Sequence, residues 1–164
     1  MLKNIFEISN KLLLSLCVLS LTILVLITVI DVFGRYLLGS PLPGTTEITE
    51  IILGLLIYIG LPYICRNEEH VSVSLFSNYL NKSFLKVQKV LVNLIVFILL
   101  CIIATQLYRH GIDLYSYNEI TTYLEIPKAP IAFSMALLTM LAALSTLFNC
   151  YEYLFNQKLL IKNE

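Results

Sequence analysis

APIAFSMALLTMLAALSTLFNCY, residues Ala129 to Tyr151, runs for 23 residues without a charge. About 17–25 mostly apolar residues cross the hydrocarbon layer of a bilayer as a helix, so this stretch can span one by itself. Two more stretches pass the same test: Leu12–Ile30 and Val90–Tyr108, each 19 uncharged residues. A fourth, Ile51–Cys65, has 15. It reaches span length if it starts at Thr46, with Glu47 and Glu50 near the membrane surface. The expectation is an all-α membrane protein with four transmembrane helices, at about 12–36, 46–65, 88–108 and 129–152, in a single membrane domain covering 1–164. Composition agrees. Of 164 residues 58% are hydrophobic and only 13% charged, whereas soluble domains run near ~25% charged. What remains between the spans is too short for a soluble domain. A soluble enzyme, a nucleic-acid binder and a disulfide-stapled secreted module are thereby excluded.

Eleven basic and eleven acidic residues leave no net charge, so no bulk attraction to nucleic acid is implied. The distribution of the basic residues sets an expected orientation. With both termini and the connection 66–89 in the cytoplasm, eight basic residues lie inside and three outside. Short loops rich in Lys and Arg stay inside, so an N-in/C-in topology is expected. The N-terminal run after Lys3 and Lys11 is too long for a signal-peptide core and has no small-x-small cleavage site before Asp31. It is expected to be an uncleaved first span. Cys17, Cys65, Cys101 and Cys150 lie in or beside apolar stretches without metal-ligand spacing and read as small packing residues.

The connections carry the polar signals. Gly39-Ser40-Pro41-Leu42-Pro43-Gly44 breaks the helix and turns the chain. Thr46 is placed to cap the second span, with Glu47 and Glu50 where the helix dipole favours acid. Asp31 and Arg35 are four apart, suited to pair along one helix face. They are either a structural pair near the headgroups or a contact to a partner subunit. Between spans two and three, Leu75, Phe76, Tyr79, Leu80, Phe84 and Val87 recur with helical periodicity against a face of Ser, Asn and Lys. That pattern predicts an amphipathic interfacial helix at about 73–86 on the inner membrane face, although Val71, Val73 and Leu75 alternate with serines and allow an extended start. His70 precedes it, beside Glu68 and Glu69, and reads either as a solvated loop residue or as one with a specific role. Asn81-Lys82-Ser83 has the form of a glycosylation sequon but falls on the expected cytoplasmic side. Between spans three and four, Tyr115, Tyr117 and Tyr123 fit an interfacial aromatic belt, and Pro127 and Pro130 suit the start of the last span. Small residues at Ala132, Ala136, Thr139 and Ala143 permit close helix approach, either within this bundle or on another protein. Gly54 and Gly60 act similarly on span two. No internal repeat supports an inverted-repeat transporter.

Ionisable residues in mid-membrane mark transport and proton paths, and the four span centres contain none. Both histidines lie outside the apolar runs. No nucleophile–base set, phosphate loop or H-E-x-x-H motif occurs. No catalytic residue, cofactor site or metal site is expected, and the chain reads as a membrane subunit supporting chemistry performed elsewhere.

Four segments in register resemble a known family. They are Asp31-Val32-Phe33-Gly34-Arg35-Tyr36, then Pro41-Leu42-Pro43-Gly44 with Glu47, then Arg66-Asn67-Glu68-Glu69-His70-Val71-Ser72-Val73, then Leu124-Glu125-Ile126-Pro127. Together they are similar to the small membrane subunit (Q subunit) of tripartite ATP-independent periplasmic (TRAP) transporters, over roughly residues 12–150. Two departures stand out: Ser74 where the family commonly has Asp, and no Trp anywhere. The resemblance implies a non-catalytic permease subunit in the bacterial inner membrane. Its implied partners are a large TRAP membrane subunit, which carries the substrate and Na⁺ sites, a periplasmic substrate-binding protein and the lipid bilayer. The implied process is Na⁺-coupled uptake of organic anions such as dicarboxylates or sialic acids. Asp31, Arg35, Tyr36, Glu47, Arg66, His70, Ala132 and Ala136 are the expected structural or subunit-interface residues. Two alternatives from other classes are a membrane anchor of a redox complex, which needs axial histidines on its spans, and a small four-helix exporter, which needs a carboxylate in mid-span.

Overall fold

The computed structural model describes residues 2–37, 39–40, 42–67 and 82–155, with side chains placed for 11–37, 39–40, 42–67 and 87–153. Four helices account for most of them. They are α1 (Leu2–Leu37), α2 (Thr45–Asn67), α3 (Lys82–Ser116) and α4 (Ala129–Phe155). Each contains a segment long and apolar enough to cross a membrane. The four expected spans thus appear in order, inside helices that outrun them. At 36 residues α1 is roughly 54 Å long and at 35 residues α3 is close to that, well beyond an apolar layer of about 30 Å.

Neighbours in sequence are not always neighbours in space. α1 packs on α2, α2 packs on α4, and α4 packs most extensively on α3. The spatial order is therefore α1–α2–α4–α3, with the last helix of the chain second from the edge. One end of the bundle carries the connections 38–44 and 117–128, here called the connection end. The opposite end, where α1 starts and α4 finishes, is called the terminal end.

The burial pattern of α4 explains its central place. Ala129, Ala132, Ala136, Thr139, Ala143, Thr146 and Tyr153 follow a three-four spacing and are all buried. Ala142, Ser145 and Asn149 form a second buried row beside them. Side chains this small let two helices approach α4 at once, which in lipid gains dispersion contacts that a leucine face would forgo. Around Ala142 and Ala143 the cluster draws in Leu61 and Cys65 from α2 and Val96, Phe97, Leu100 and Cys101 from α3. The small residues on span four therefore pack inside the chain's own bundle. Gly54 of α2 makes the same kind of room, since a Cβ there would lie 2.7 Å from Met135 Cε. Pro62 is buried within α2, a position tolerated in membrane helices because neighbouring groups satisfy the freed carbonyl.

Two boundaries differ from the sequence expectation. α2 begins at Thr45, so Gly44 rather than Thr46 occupies the cap position, and its carbonyl accepts Ile48 N at 3.1 Å. Gly44 has φ of 76°, a conformation open to glycine and strained for other residues. α3 continues through His110–Ser116, which the sequence had suggested as loop. It stops in a Schellman turn: Asn118 has φ of 50°, Asn118 N donates to Tyr115 O at 3.2 Å, and Glu119 N donates to Leu114 O at 3.0 Å. Of the expected interfacial helix, 73–81 lie outside the described residues. Residues 82–86 form the first turns of α3.

Candidate functional site

Among the described residues, every charged side chain with a placed position lies within about three turns of a helix end or in a connection, and three sets of them tie the bundle together. The first is built on Asp31, near the end of α1. It is buried, at 8% exposure. One carboxylate oxygen accepts Arg35 Nη2 at 2.9 Å, the pairing expected from the i,i+4 spacing. The other accepts the backbone N–H of Leu42 at 3.0 Å. Thr45 Oγ1 lies 3.3 Å from that same oxygen, but at 2.7 Å from Leu42 O its single proton belongs to the carbonyl. Asp31 thus fastens the 38–44 turn to α1 and sets where α2 begins. Arg35 remains largely exposed, and Tyr36 is exposed at 82%.

The second set joins the two connections. Glu47, in the first turn of α2, accepts the backbone N–H of Tyr123 at 2.6 Å with one oxygen and that of Leu124 at 2.9 Å with the other. The segment it grips is already folded on itself. Thr121 N donates to Ile126 O at 2.9 Å, Ile126 N donates to Thr121 Oγ1 at 3.1 Å, and Lys128 N donates to Glu119 O at 3.0 Å. Leu124 in turn packs on Gly44, where any Cβ would stand 2.7 Å from its Cγ. Charge-assisted bonds of a carboxylate to two amides are roughly twice as strong as neutral ones. This end is therefore held by backbone groups as well as by side chains.

The third set closes the terminal end. Arg66, in the last turn of α2, donates Nη1 to Asn149 Oδ1. Its Nη2 pairs with Glu152 at 3.0 Å, and its guanidinium carbon sits 4.7 Å from the centre of the Phe148 ring. Asn149, 3% exposed, returns its amide protons to the carbonyls of Cys65 at 2.9 Å and Arg66 at 3.2 Å. Those carbonyls lie in the last turn of α2, where no helical N–H remains to satisfy them. Lys89 of α3 adds a second tie, with Nζ 3.3 Å from Tyr153 Oη.

Of the expected residues, Asp31 and Arg35 meet each other, Glu47 meets the 117–128 connection, and Arg66 meets α4. Ala132 and Ala136 are buried inside the bundle, and His70 lies outside the described residues. Asn149 and Glu152 were not anticipated. Their signal was present: they are three apart at the same end of span four as Arg66 is of span two, so two spans that run in the same direction bring them level. Large apolar side chains cover the outside. On α1 Leu12, Val18, Leu19, Leu26, Ile30 and Phe33 are each at least 55% exposed. Among the described residues no three of His, Cys, Asp and Glu converge as metal ligands.

Four apolar helices clamped at both ends, with apolar outer faces, define a multi-pass membrane protein. Residues 24–155 match the family model described as tripartite ATP-independent periplasmic transporters, DctQ component, and the chain belongs to that family. It is thus a small permease subunit of a TRAP transporter, a component that works with a large membrane subunit and a binding protein. No individually curated protein matches it.

Proposed function

We propose that this chain is a non-catalytic scaffold for the large TRAP membrane subunit, in Na⁺-coupled, binding-protein-dependent uptake of organic anions such as dicarboxylates or sialic acids. In this reading it sits in the bacterial inner membrane with both termini cytoplasmic and the connection end in the periplasm. The observation that supports it is the distribution of charge. The described Asp, Glu, Lys and Arg residues lie within about three turns of a helix end or in a connection, and the three conspicuous sets tie helices to connections or to one another. Among the described residues, nothing in the bundle interior offers a cation or an anion a cluster of charged ligands. What the chain does offer is stiffness at both ends and a broad apolar exterior, most of all on α1, which packs on α2 alone among the major helix contacts. A fixed frame against which a larger subunit moves requires those two properties.

Reconstitution tests this. In proteoliposomes the chain alone is expected to take up nothing. With the large subunit, the binding protein and an inward Na⁺ gradient, uptake of an organic anion is expected. Variants at Asp31 or Arg66 should lower the yield of the complex while the Na⁺ requirement and substrate preference stay as they were. Net uptake by this chain alone, or an altered Na⁺ requirement caused by these variants, would sink the scaffold reading.

A further inference from the structure

α2 and α3 both pack on α4, and around Ala142 and Ala143 the three helices close into one cluster. Toward the connection end a cleft of about 250 Å³ separates α2 from α3. Its floor is Ile131, Ala132 and Met135 of α4, and its walls are Ile51 of α2 with Leu107 and Leu114 of α3. The rim is polar and sorted by side. Glu47 and Glu50 stand on α2; His110 stands on α3 and Lys128 just before α4. Both oxygens of Glu47 are engaged by the amides of Tyr123 and Leu124, so Glu50 is the carboxylate presented at the rim. Lys128 Nζ lies 3.4 Å from Glu119, with both side chains close to half exposed. A long contact of that kind leaves ammonium protons for another acceptor.

We infer that this cleft seats a zwitterionic phospholipid with a primary amine, of the phosphatidylethanolamine type. Its ammonium faces Glu50, its phosphate faces Lys128 and His110, and the first part of one acyl chain lies over Ile131 and Met135. Size, charge and depth each narrow the choice. The cleft is a short, open recess of about 250 Å³, on the scale of one headgroup and the first carbons of a chain. An organic anion or an anionic lipid would bring negative charge beside Glu47 and Glu50 with a single lysine to offset it. An apolar slot under an acid-and-base rim, at the ends of membrane-crossing helices, matches a headgroup that carries both signs above a hydrocarbon chain. The amine matters as well as the charge, because its N–H groups donate to a carboxylate and a trimethylated nitrogen has none. This inference stands on the cleft and is independent of the scaffold reading.

The test is lipid retention by the purified full chain. The chain in mild detergent is mixed with equal amounts of phosphatidylethanolamine, phosphatidylcholine and phosphatidylglycerol of identical acyl chains, and adducts are counted by native mass spectrometry. One ethanolamine lipid per chain is expected, retained roughly five- to tenfold over the other two, as one charge-assisted bond would give. Glu50→Gln and Lys128→Gln should each erase most of that preference, while Leu144→Ala, on the lipid-facing surface of α4, should leave it intact. Far-UV circular dichroism and gel-filtration profiles identify any variant that has lost its fold; the preference is scored on those that keep it. Equal retention of the three lipids, or an unchanged preference in Glu50→Gln, overturns the inference. So does release of the lipid when the large subunit binds, which would make the cleft that subunit's seat.

Discussion

The side-chain amide of Asn149 donates to two carbonyls of α2 and accepts from the Arg66 guanidinium, so its loss strands three groups at once. Asn149→Leu should destabilise the chain by roughly 1–3 kcal/mol, the range for leaving a buried polar group unsatisfied. Arg66→Met should be milder. It removes the ion pair, but Glu152 is 20% exposed and reaches water, and Asn149 keeps both its donor bonds. Thermal melts of the two variants in the same detergent check the order; equal losses would place the whole effect on the guanidinium. A similar contrast applies at Asp31. Asn there keeps an acceptor for the Leu42 amide and forfeits only the exposed Arg35 pair, worth about 0.3–1 kcal/mol. Leu there leaves the amide of Leu42 without its carboxylate and should cost about 1–3 kcal/mol. If Asp31→Asn melts as low as Asp31→Leu, the ion pair and not the amide bond holds the turn. The Asp31–Arg35 pair was legible because an i,i+4 spacing is local. Arg66 and Asn149 are 83 residues apart, and Leu42 joins Asp31 through a backbone N–H that no residue type announces.

On the scale of elements, α4 carries the bundle because its small residues lie in two adjacent rows. Ala142 has no exposed surface and touches clusters from both α2 and α3. Ala142→Leu should destabilise by roughly 1–3 kcal/mol through overpacking. Leu144→Ala should change stability far less, because Leu144 is 49% exposed and lipid tails are as apolar as the side chain removed. Thermal denaturation of the purified chain distinguishes them, and similar melting points would mean that α4 is loosely packed. The spacing of Ala132, Ala136, Thr139 and Ala143 revealed a face made for close approach without revealing what covers it; the cover is α3 and α2 of the same chain. The four spans were legible for a simpler reason, since apolar length is a one-dimensional property. The continuation of α3 to Ser116 was not. Arg109, His110 and Asp113 end the hydropathy signal, yet a helix leaving the apolar layer needs no apolar residues to persist, and this one runs on until Asn118 takes a left-handed conformation.

At the scale of the whole molecule, the two ends are held in different ways, and that difference bears on which side each faces. The connection end is fastened by two carboxylates, Asp31 and Glu47, gripping backbone amides. The terminal end is fastened by the cations Arg66 and Lys89 gripping side chains of α4. The positive-inside rule reads the Lys and Arg of this contrast, and eight of the eleven basic residues fall in the two terminal segments and the 66–89 connection of the sequence. The chain is therefore expected to place its terminal end in the cytoplasm. A reporter active only in the periplasm should work when fused after Asn118, in the connection between α3 and α4, and fail after Glu164. A reporter active only in the cytoplasm should show the reverse. Because α4 must cross between those two points, a single compartment for both fusions would mean that α4 does not span, and a periplasmic C-terminus would invert the bundle. Either result would also remove the reason for placing Asp31, Glu47 and the 117–128 connection on the side from which a binding protein delivers its cargo.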